Sequence, residues 1–160
     1  MTNEIAPPLW TCRACNRSFA NRNQTHSCSV ASLATFLRQR PAGQLHLFER
    51  FFEAVKACGD VSLAPAKTRV GFQARMIFAA VNRLSDVGLD AHVVLSRRVD
   101  HPRLRRVEAM SPRCFVHHFR IAHEDEIDAE VCSWLKEAYE VGTQREVLRR
   151  RSARPKSRVP

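Results

Sequence analysis

Four candidate metal ligands within residues 12–28 constrain the fold of this chain more than any other feature. They are Cys12, Cys15, His26 and Cys28, spaced as C-x2-C-x10-H-x-C. Two residues between the first pair allow a tight turn that aims both sulfurs at one ion, and alternate residues of an extended strand can aim the second pair to one side. Zn²⁺ prefers such a tetrahedral set of sulfur and nitrogen ligands. We therefore predict a structural zinc clip here.

Two other interpretations of these cysteines remain open. A disulfide could join Cys12 to Cys15 or to Cys28, and a C-x-x-C pair can act as a thiol redox motif. Redox motifs of this type normally follow a buried strand, whereas residues 7–10 (PPLW) precede Cys12. Four protein ligands would fill the coordination sphere and leave no place for a catalytic water, which disfavours a hydrolytic zinc.

The composition is that of a globular chain. Its 160 residues are 44% hydrophobic, which suits one ordinary domain plus a small clip. The sequence has no apolar run of 18 residues and no basic start followed by an apolar segment. We therefore predict a cytoplasmic protein without a membrane span or signal peptide. Cys58, Cys114 and Cys132 are expected to be buried thiols, as in a reducing compartment.

The net charge of +10 is concentrated at the two ends of the chain. Residues 1–44 carry five basic residues against one acidic residue, and residues 146–160 carry six against one. Residues 100–145, by contrast, carry seven against nine. Basic ends favour polyanions through counterion release, although arginines of this kind can also be merely solvated. The candidate nucleic-acid contacts are Arg13, Arg17, Arg22, Arg149, Arg150 and Arg151.

Hydrophobic periodicity predicts three helices. Apolar residues recur at helical spacing in each of them, and glycine or proline ends each segment. The first is a short helix that Ser29 or Ser32 caps and Pro41 closes. The second is a phenylalanine-rich amphipathic helix over residues 45–58. The third begins at Glu124 with several acidic residues, which the helix dipole favours at a helix N-terminus. It ends near Gly142.

Alternation of apolar and polar residues predicts strands between the second and third helices. The segments are 61–63, 68–75, 76–81, 89–97 and 114–121, and a basic connection is expected over 101–112. Period-2 patterns with short connections indicate an antiparallel sheet of four or five strands, with helices on one face. The predicted class is α+β. We expect a zinc clip and short helix in residues 1–42, the α+β domain in 43–142 and a basic, largely disordered tail in 143–160, with some helical extension up to Arg151.

The polar face of the predicted sheet collects basic and imidazole side chains, among them Arg69, His92, His118 and Arg120. Such groups suit a phosphate or carboxylate if they converge, but an exposed antiparallel face is also normally polar. His117 falls on the apolar face, so we expect a hydrogen-bonded core histidine. The sequence contains no glycine-rich phosphate loop, serine nucleophile elbow or paired catalytic carboxylates.

Three stretches carry a resemblance to a known family. Residues 65–81 (PAKTRVGFQARMIFAAV), 116–121 (VHHFRI) and 130–139 (EVCSWLKEAY) resemble the bacterial domain-of-unknown-function family numbered 5655. The resemblance covers about residues 45–142, with the clip as an N-terminal companion. It implies a small α+β domain with an antiparallel sheet and no assigned activity. Positions expected to line any shared site are Lys67, Thr68, Arg75, His118 and Arg120.

These observations favour a non-enzymatic, zinc-containing binding module that contacts nucleic acid through its basic ends. One alternative is a domain, enzymatic or not, that holds a small anionic ligand on the basic face of its sheet. Another is a protein-interaction adaptor, which needs an exposed apolar patch near Trp10 or Phe19.

Overall fold

The computed structural model describes residues 6–26, 28 and 32–153. The chain begins with a small hairpin of β1 (Trp10–Thr11) and β2 (Ser18–Phe19), followed by helices α1 (Leu33–Arg38) and α2 (Leu45–Lys56). Six strands follow: β3 (Ser62–Pro65), β4 (Val70–Gln73), β5 (Ile77–Ser85), β6 (Gly88–Leu95), β7 (Leu104–Ser111) and β8 (Cys114–Ile121). Helices α3 (Ala129–Thr143) and α4 (Arg145–Ser152) complete the chain. Short 3-10 turns over Ala42–Gln44 and Glu124–Glu126 precede α2 and α3.

The main sheet has six antiparallel strands in the order β3-β4-β5-β6-β8-β7. The predicted α+β class is confirmed, whereas the predicted count of four or five strands is too low. The additional strand is β7, in the segment expected to be a connection. It lies at the edge of the sheet, has two bulges and exposes Arg105 and Arg106. Edge strands of this kind lack a clear apolar alternation, so their sequence resembles a loop.

One face of the sheet packs on the helices. Alternate residues of β6 (Leu89, Ala91, Val93, Leu95) are at most 1% exposed, and α3 lies against β5 and β6. From α2, Phe51 and Val55 enter this core and are fully buried. The opposite face, called the outer face below, carries the other β6 residues, including Asp90 and His92. The predicted alternation thus divides apolar from polar side chains between the two faces.

His117 lies in the core and is fully buried. Its Nε2 accepts a hydrogen bond from the backbone N–H of Val99 at 2.9 Å, and its Nδ1 donates to the Phe115 carbonyl at 3.2 Å. Both ring nitrogens are therefore paired, as a buried imidazole requires. Burial lowers the pKa of His117, which favours the neutral ring. The prediction of a hydrogen-bonded core histidine is confirmed.

Helix ends differ in detail from the predicted bounds. Ser32 caps α1 by accepting from the Thr35 N–H, while the alternative cap, Ser29, lies outside the described residues. The acidic residues expected to open the last helix form a 3-10 turn instead, because Asp128 is the N-cap of α3.

The C-terminal segment was predicted to be largely disordered, and α4 occupies eight of its residues. Gln144 adopts a left-handed conformation (φ 58°) between α3 and α4 and so turns the chain into the new helix. Residues 154–160 lie outside the described part of the chain. Within the described residues, no helix is long and apolar enough to cross a membrane.

Candidate functional site

The four predicted ligands come together in a compact group. Their ligand atoms all lie within 4.8 Å of one another. The sulfurs of Cys12 and Cys28 are 3.8 Å apart, and Nε2 of His26 is 3.3 Å from the sulfurs of both Cys15 and Cys28. With metal–sulfur bonds of about 2.3 Å, a tetrahedral site has sulfur–sulfur edges of about 3.8 Å. The group is therefore positioned to hold a metal ion.

The turn after β1 directs the first two sulfurs to the same side. The N–H of Cys12 donates to the Arg17 carbonyl at 2.9 Å, and the N–H of Asn16 donates to the Cys12 carbonyl at 2.8 Å. Asn16 has a left-handed backbone (φ 56°), which asparagine tolerates better than most residues. The two-residue spacing in C-x2-C is thus converted into one ligand pair, as predicted.

A backbone contact orients His26 towards the other ligands. Its Nδ1 lies 2.6 Å from the Gln24 carbonyl, so Nδ1 carries the proton and Nε2 keeps a lone pair for a metal. The ring centroid of Phe19 is 4.2 Å from that of His26, and Trp10 lies 6.0 Å from Phe19. These rings form the small apolar core of the clip.

Backbone donors prepare the first cysteine pair for metal binding. The N–H of Arg17 lowers the pKa of Cys15 to about 6, and the N–H of Ala14 lowers the pKa of Cys12. A hydrogen bond with Cys12 raises the pKa of Cys28 to about 11. The third thiol thus depends on a bound cation for ionisation, because a coordinating metal deprotonates its thiol ligands.

The remaining cysteines differ from those of the clip. Cys58, Cys114 and Cys132 were predicted to be buried thiols, and in the structure all three are half-buried. Burial raises the pKa of the Cys58 and Cys114 thiols, which keeps them protonated at neutral pH. All six cysteines are free, so the disulfide alternative for the clip is not seen.

The clip is seated at one end of the main sheet. Gln73, the last residue of β4, is only 7% exposed, and its Nε2 donates to the Ser18 carbonyl at 2.5 Å. Ser18 begins β2, so this bond joins the hairpin that carries the metal ligands to the sheet. The contact therefore links the clip to the end of β4.

Comparison with known protein families identifies the α+β domain that follows the clip. A family model described as "Domain of unknown function (DUF5655)" matches residues 34–142. The chain belongs to the DUF5655 family. No curated protein and no solved structure matches the chain significantly. The match begins in α1 and ends in α3, so the clip and α4 lie outside the DUF5655 domain.

Two predicted ligand positions lie side by side on the outer face of the DUF5655 sheet. Arg120 forms a bidentate pair with Asp90, with Nε–Oδ1 at 2.6 Å and Nη2–Oδ2 at 2.9 Å. Nε2 of His118 lies 2.6 Å from Oε1 of Glu108. Both acidic partners come from neighbouring strands. They could not be predicted, because the pattern of a single strand does not reveal its register with its neighbours.

The other predicted positions lie elsewhere. Lys67 and Thr68 are exposed in the β3–β4 turn. Arg75 lies in the β4–β5 turn at the opposite end of β4, where its backbone N–H donates to the Gly142 carbonyl at 3.1 Å. The structure therefore brings His118 and Arg120 together and places the other three candidates in two separate turns.

Arginines that sequence reasoning did not select lie beside His118 and Arg120. A shallow groove of about 390 Å³ on the outer face includes Arg83, Arg105 and Arg106. Arg105 and Arg106 belong to β7, which the sequence presented as a connection. Their proximity to His118 and Arg120 can be predicted only once β7 is recognised as a strand that pairs with β8.

His92 is a further feature of the outer face. Its Nδ1 lies 2.9 Å from the side-chain amide of Asn82, and its ring centroid is 5.4 Å from that of His118. Burial, together with the charges of His118 and Arg69, lowers the pKa of His92 to about 4. The imidazole is therefore neutral at pH 7.

We expect acidification to destabilise the folded chain through His92. Its pKa falls from 6.5 to about 4 on folding, so between these values the unfolded state binds the extra proton. Stability should therefore decrease as the pH falls through this window, by at most about 1.4 kcal/mol per pH unit for one group. Urea unfolding at several pH values would measure it. The H92Q variant should show a flatter profile, whereas the exposed-histidine control H123Q should follow the wild type. Identical profiles for H92Q and the wild type would contradict the assignment.

The predicted nucleic-acid contacts occupy two elements. In the clip, Arg13 and Arg22 are exposed, and the guanidinium of Arg17 lies 5.5 Å from the ring centroid of Phe19. The other three, Arg149, Arg150 and Arg151, are exposed in the last turn of α4. A groove of about 420 Å³ runs between α4 and the β7–β8 turn. The helix therefore lies beside one end of the main sheet.

Proposed function

We propose that this protein is a non-enzymatic, zinc-containing module that binds nucleic acid. The supporting observation is that the clip and α4 both lie at the same end of the main sheet. The clip contacts Gln73 at the end of β4. Helix α4 shares a groove with Ser96 and Arg113, which flank the end of β6 and the start of β8.

Strand register supports this placement. Gln73 pairs with Ile77, and Leu95 pairs with Phe115. The end of β4, the start of β5, the end of β6 and the start of β8 therefore lie at the same end of the sheet. We call this end of the sheet, together with the clip and α4, the basic end. Segments far apart in the sequence are thereby combined into one surface.

Arginines from both chain termini gather at the basic end. They are Arg13, Arg17 and Arg22 of the clip, Arg75 and Arg113 of the strand turns, and Arg145, Arg149, Arg150 and Arg151 of α4. Three glutamates offset part of this charge: Glu137 pairs with Arg97, Glu140 with Arg145, and Glu146 with Arg150. Such a surplus favours a polyanion, because binding releases condensed counterions.

Zn²⁺ is the proposed metal of the clip. Three thiolates and one imidazole form a soft, closed ligand set that suits Zn²⁺ better than Mg²⁺ or Ca²⁺. We assign the ion a structural role, because it joins the two halves of a segment with little core of its own. Reduced thiols are required, so we propose that the protein works in the bacterial cytoplasm.

The two alternatives differ in their support. The adaptor hypothesis needs an exposed apolar patch near Trp10 or Phe19, but Phe19 is only 5% exposed and Trp10 is partly buried. The small-anion hypothesis has an observation in its favour, the groove at His118 and Arg120, which is a site separate from the clip.

Salt-dependent binding tests the nucleic-acid proposal. We expect fluorescence anisotropy to show binding of a 5′-hydroxyl oligonucleotide that weakens between about 50 and about 200 mM salt. The double variant R149Q/R151Q should reduce the slope of log K against log salt by about 1.4 to 1.8, since each lost phosphate contact contributes about 0.7 to 0.9.

The charge-matched control is R50Q/K56Q, which removes two charges from α2. It should keep the wild-type slope. Absence of binding at the lower salt concentration, or binding that does not respond to salt, would overturn the proposal.

A further inference from the structure

Four arginines line a groove around Asp90 on the outer face of the DUF5655 sheet. Asp90 of β6 is the register partner of Arg83 on β5 and of Arg120 on β8. Arg105 and Arg106 of β7 complete the side of the groove of about 390 Å³. Strands β5, β7 and β8 thus present guanidinium groups around Asp90 of β6, which no single stretch of sequence indicates.

The carboxylate does not neutralise these arginines. Arg120 lowers the pKa of Asp90 through its hydrogen bonds, and the charges of Arg105 and Arg83 lower it further. Arg106 pairs with Glu108. With four arginines against Asp90 and Glu108, the formal charge is +2. Among the described residues, neither Arg83 nor Arg105 forms an ion pair of its own.

The pairing of Arg120 with Asp90 makes the groove partly preorganised. The bidentate pair holds the guanidinium of Arg120 in one orientation. Its Nε and Nη2 donate to Asp90, so these two groups are not available to a ligand. Arg83 and Arg105 are exposed and keep their donors free for a ligand. Guanidinium groups match the oxygens of phosphate in planar, charge-assisted hydrogen bonds.

We propose that this groove binds a phosphomonoester dianion, with Arg83 and Arg105 as its direct ligands. Two negative charges balance the formal +2, whereas a backbone phosphodiester supplies only one. The groove volume lies within the range of roughly 300 to 1,000 Å³ typical of small-ligand sites, so it has room for a group attached to the phosphate.

The site is separate from the proposed nucleic-acid surface. Asp90 lies near the start of β6, and the basic end lies beyond Leu95. Five residues of extended strand span about 17 Å. The phosphomonoester is either that of a free phosphorylated metabolite or the terminal phosphate of a nucleic acid, and both present the same dianion.

Titration of the full chain with inorganic phosphate and with a mononucleotide 5′-monophosphate tests the proposal. We expect saturable shifts of the backbone amide NMR signals of Asp90 and Arg120 with both probes. The double variant R83Q/R105Q should bind the mononucleotide at least about 10-fold more weakly, since each charge-assisted bond contributes severalfold or more. The control R50Q/K56Q should stay within about twofold of the wild type, as expected for exposed charges outside the groove.

Oligonucleotides with and without a 5′-phosphate distinguish the two sources. Tighter binding of the phosphorylated strand, lost in R83Q/R105Q, assigns the site to a nucleic-acid terminus. If both oligonucleotides bind equally well and the mononucleotide binds only at the groove, the site is assigned to a phosphorylated metabolite.

Two results would overturn the inference: absence of shifts at the groove with either probe, or wild-type affinity in a folded R83Q/R105Q variant. Binding of the 5′-hydroxyl strand to the wild type tests the basic end separately, so either proposal can fail alone.

Discussion

Replacing Cys15 by serine is expected to abolish metal binding and to unfold the clip while the DUF5655 domain remains folded. Serine supplies no thiolate, and the remaining three ligands cannot close a tetrahedral site. The strands of the clip hairpin have only two residues each, and its apolar contacts are limited to a few rings. Structural zinc contributes roughly 10 kcal/mol or more to folding in such small units, so little structure should remain without it.

Metal content and tryptophan fluorescence would measure this outcome. The chain has two tryptophans, Trp10 in the clip and Trp134 in the core of the domain. In C15S the metal content should fall from one ion per chain to none. The emission of Trp10 should shift towards that of exposed tryptophan, while the unfolding transition that Trp134 reports should persist.

The thiol variant C58S is the matched control, because Cys58 is a half-buried cysteine outside the clip. It should retain one ion per chain. If C15S also retained a full equivalent of metal, the four-ligand site would be wrong.

Local patterns predicted the features that depend on neighbouring residues. The clip follows from ligand spacing, because a turn of C-x2-C geometry needs only the residues between Cys12 and Asn16. Strand β8 and the buried face of β6 follow from alternation, since each side chain's face is fixed by its position along one strand. The DUF5655 resemblance rested on stretches that all lie within the matched residues 34–142.

Features that depend on strand register escaped prediction. Asp90 and Arg120 are separated by 30 positions in sequence yet form a bidentate pair, because β6 and β8 are neighbours in the sheet. Glu108 reaches His118 only because β7 is a strand. Strand register also places Gln73, which contacts the clip, and Arg113, which lies beside α4, at the same end of the sheet. The composition indicated a basic protein, but the positions of the arginines relative to one another depend on the topology of the sheet.

Truncation of Phe51 is expected to be the most damaging change within the DUF5655 domain. Its side chain is fully buried, with ring centroids 6.0 Å from Phe72 and 6.4 Å from Phe119. Loss of such a ring leaves a cavity and typically costs about 3–5 kcal/mol of unfolding free energy. Because a domain's stability is only about 5–15 kcal/mol, F51A should bring the fold close to its limit.

Urea unfolding of F51A and of the neighbouring variant F52A provides the measurement. Phe52 is only partly buried, so its truncation should cost distinctly less. Because all four metal ligands lie outside the DUF5655 core, F51A should still bind one ion per chain at low urea, the reverse of the pattern expected for C15S. Equal losses in F51A and F52A would show that α2 is not anchored through Phe51. Loss of metal together with the core would show instead that the clip depends on its contact with Gln73 to form at all.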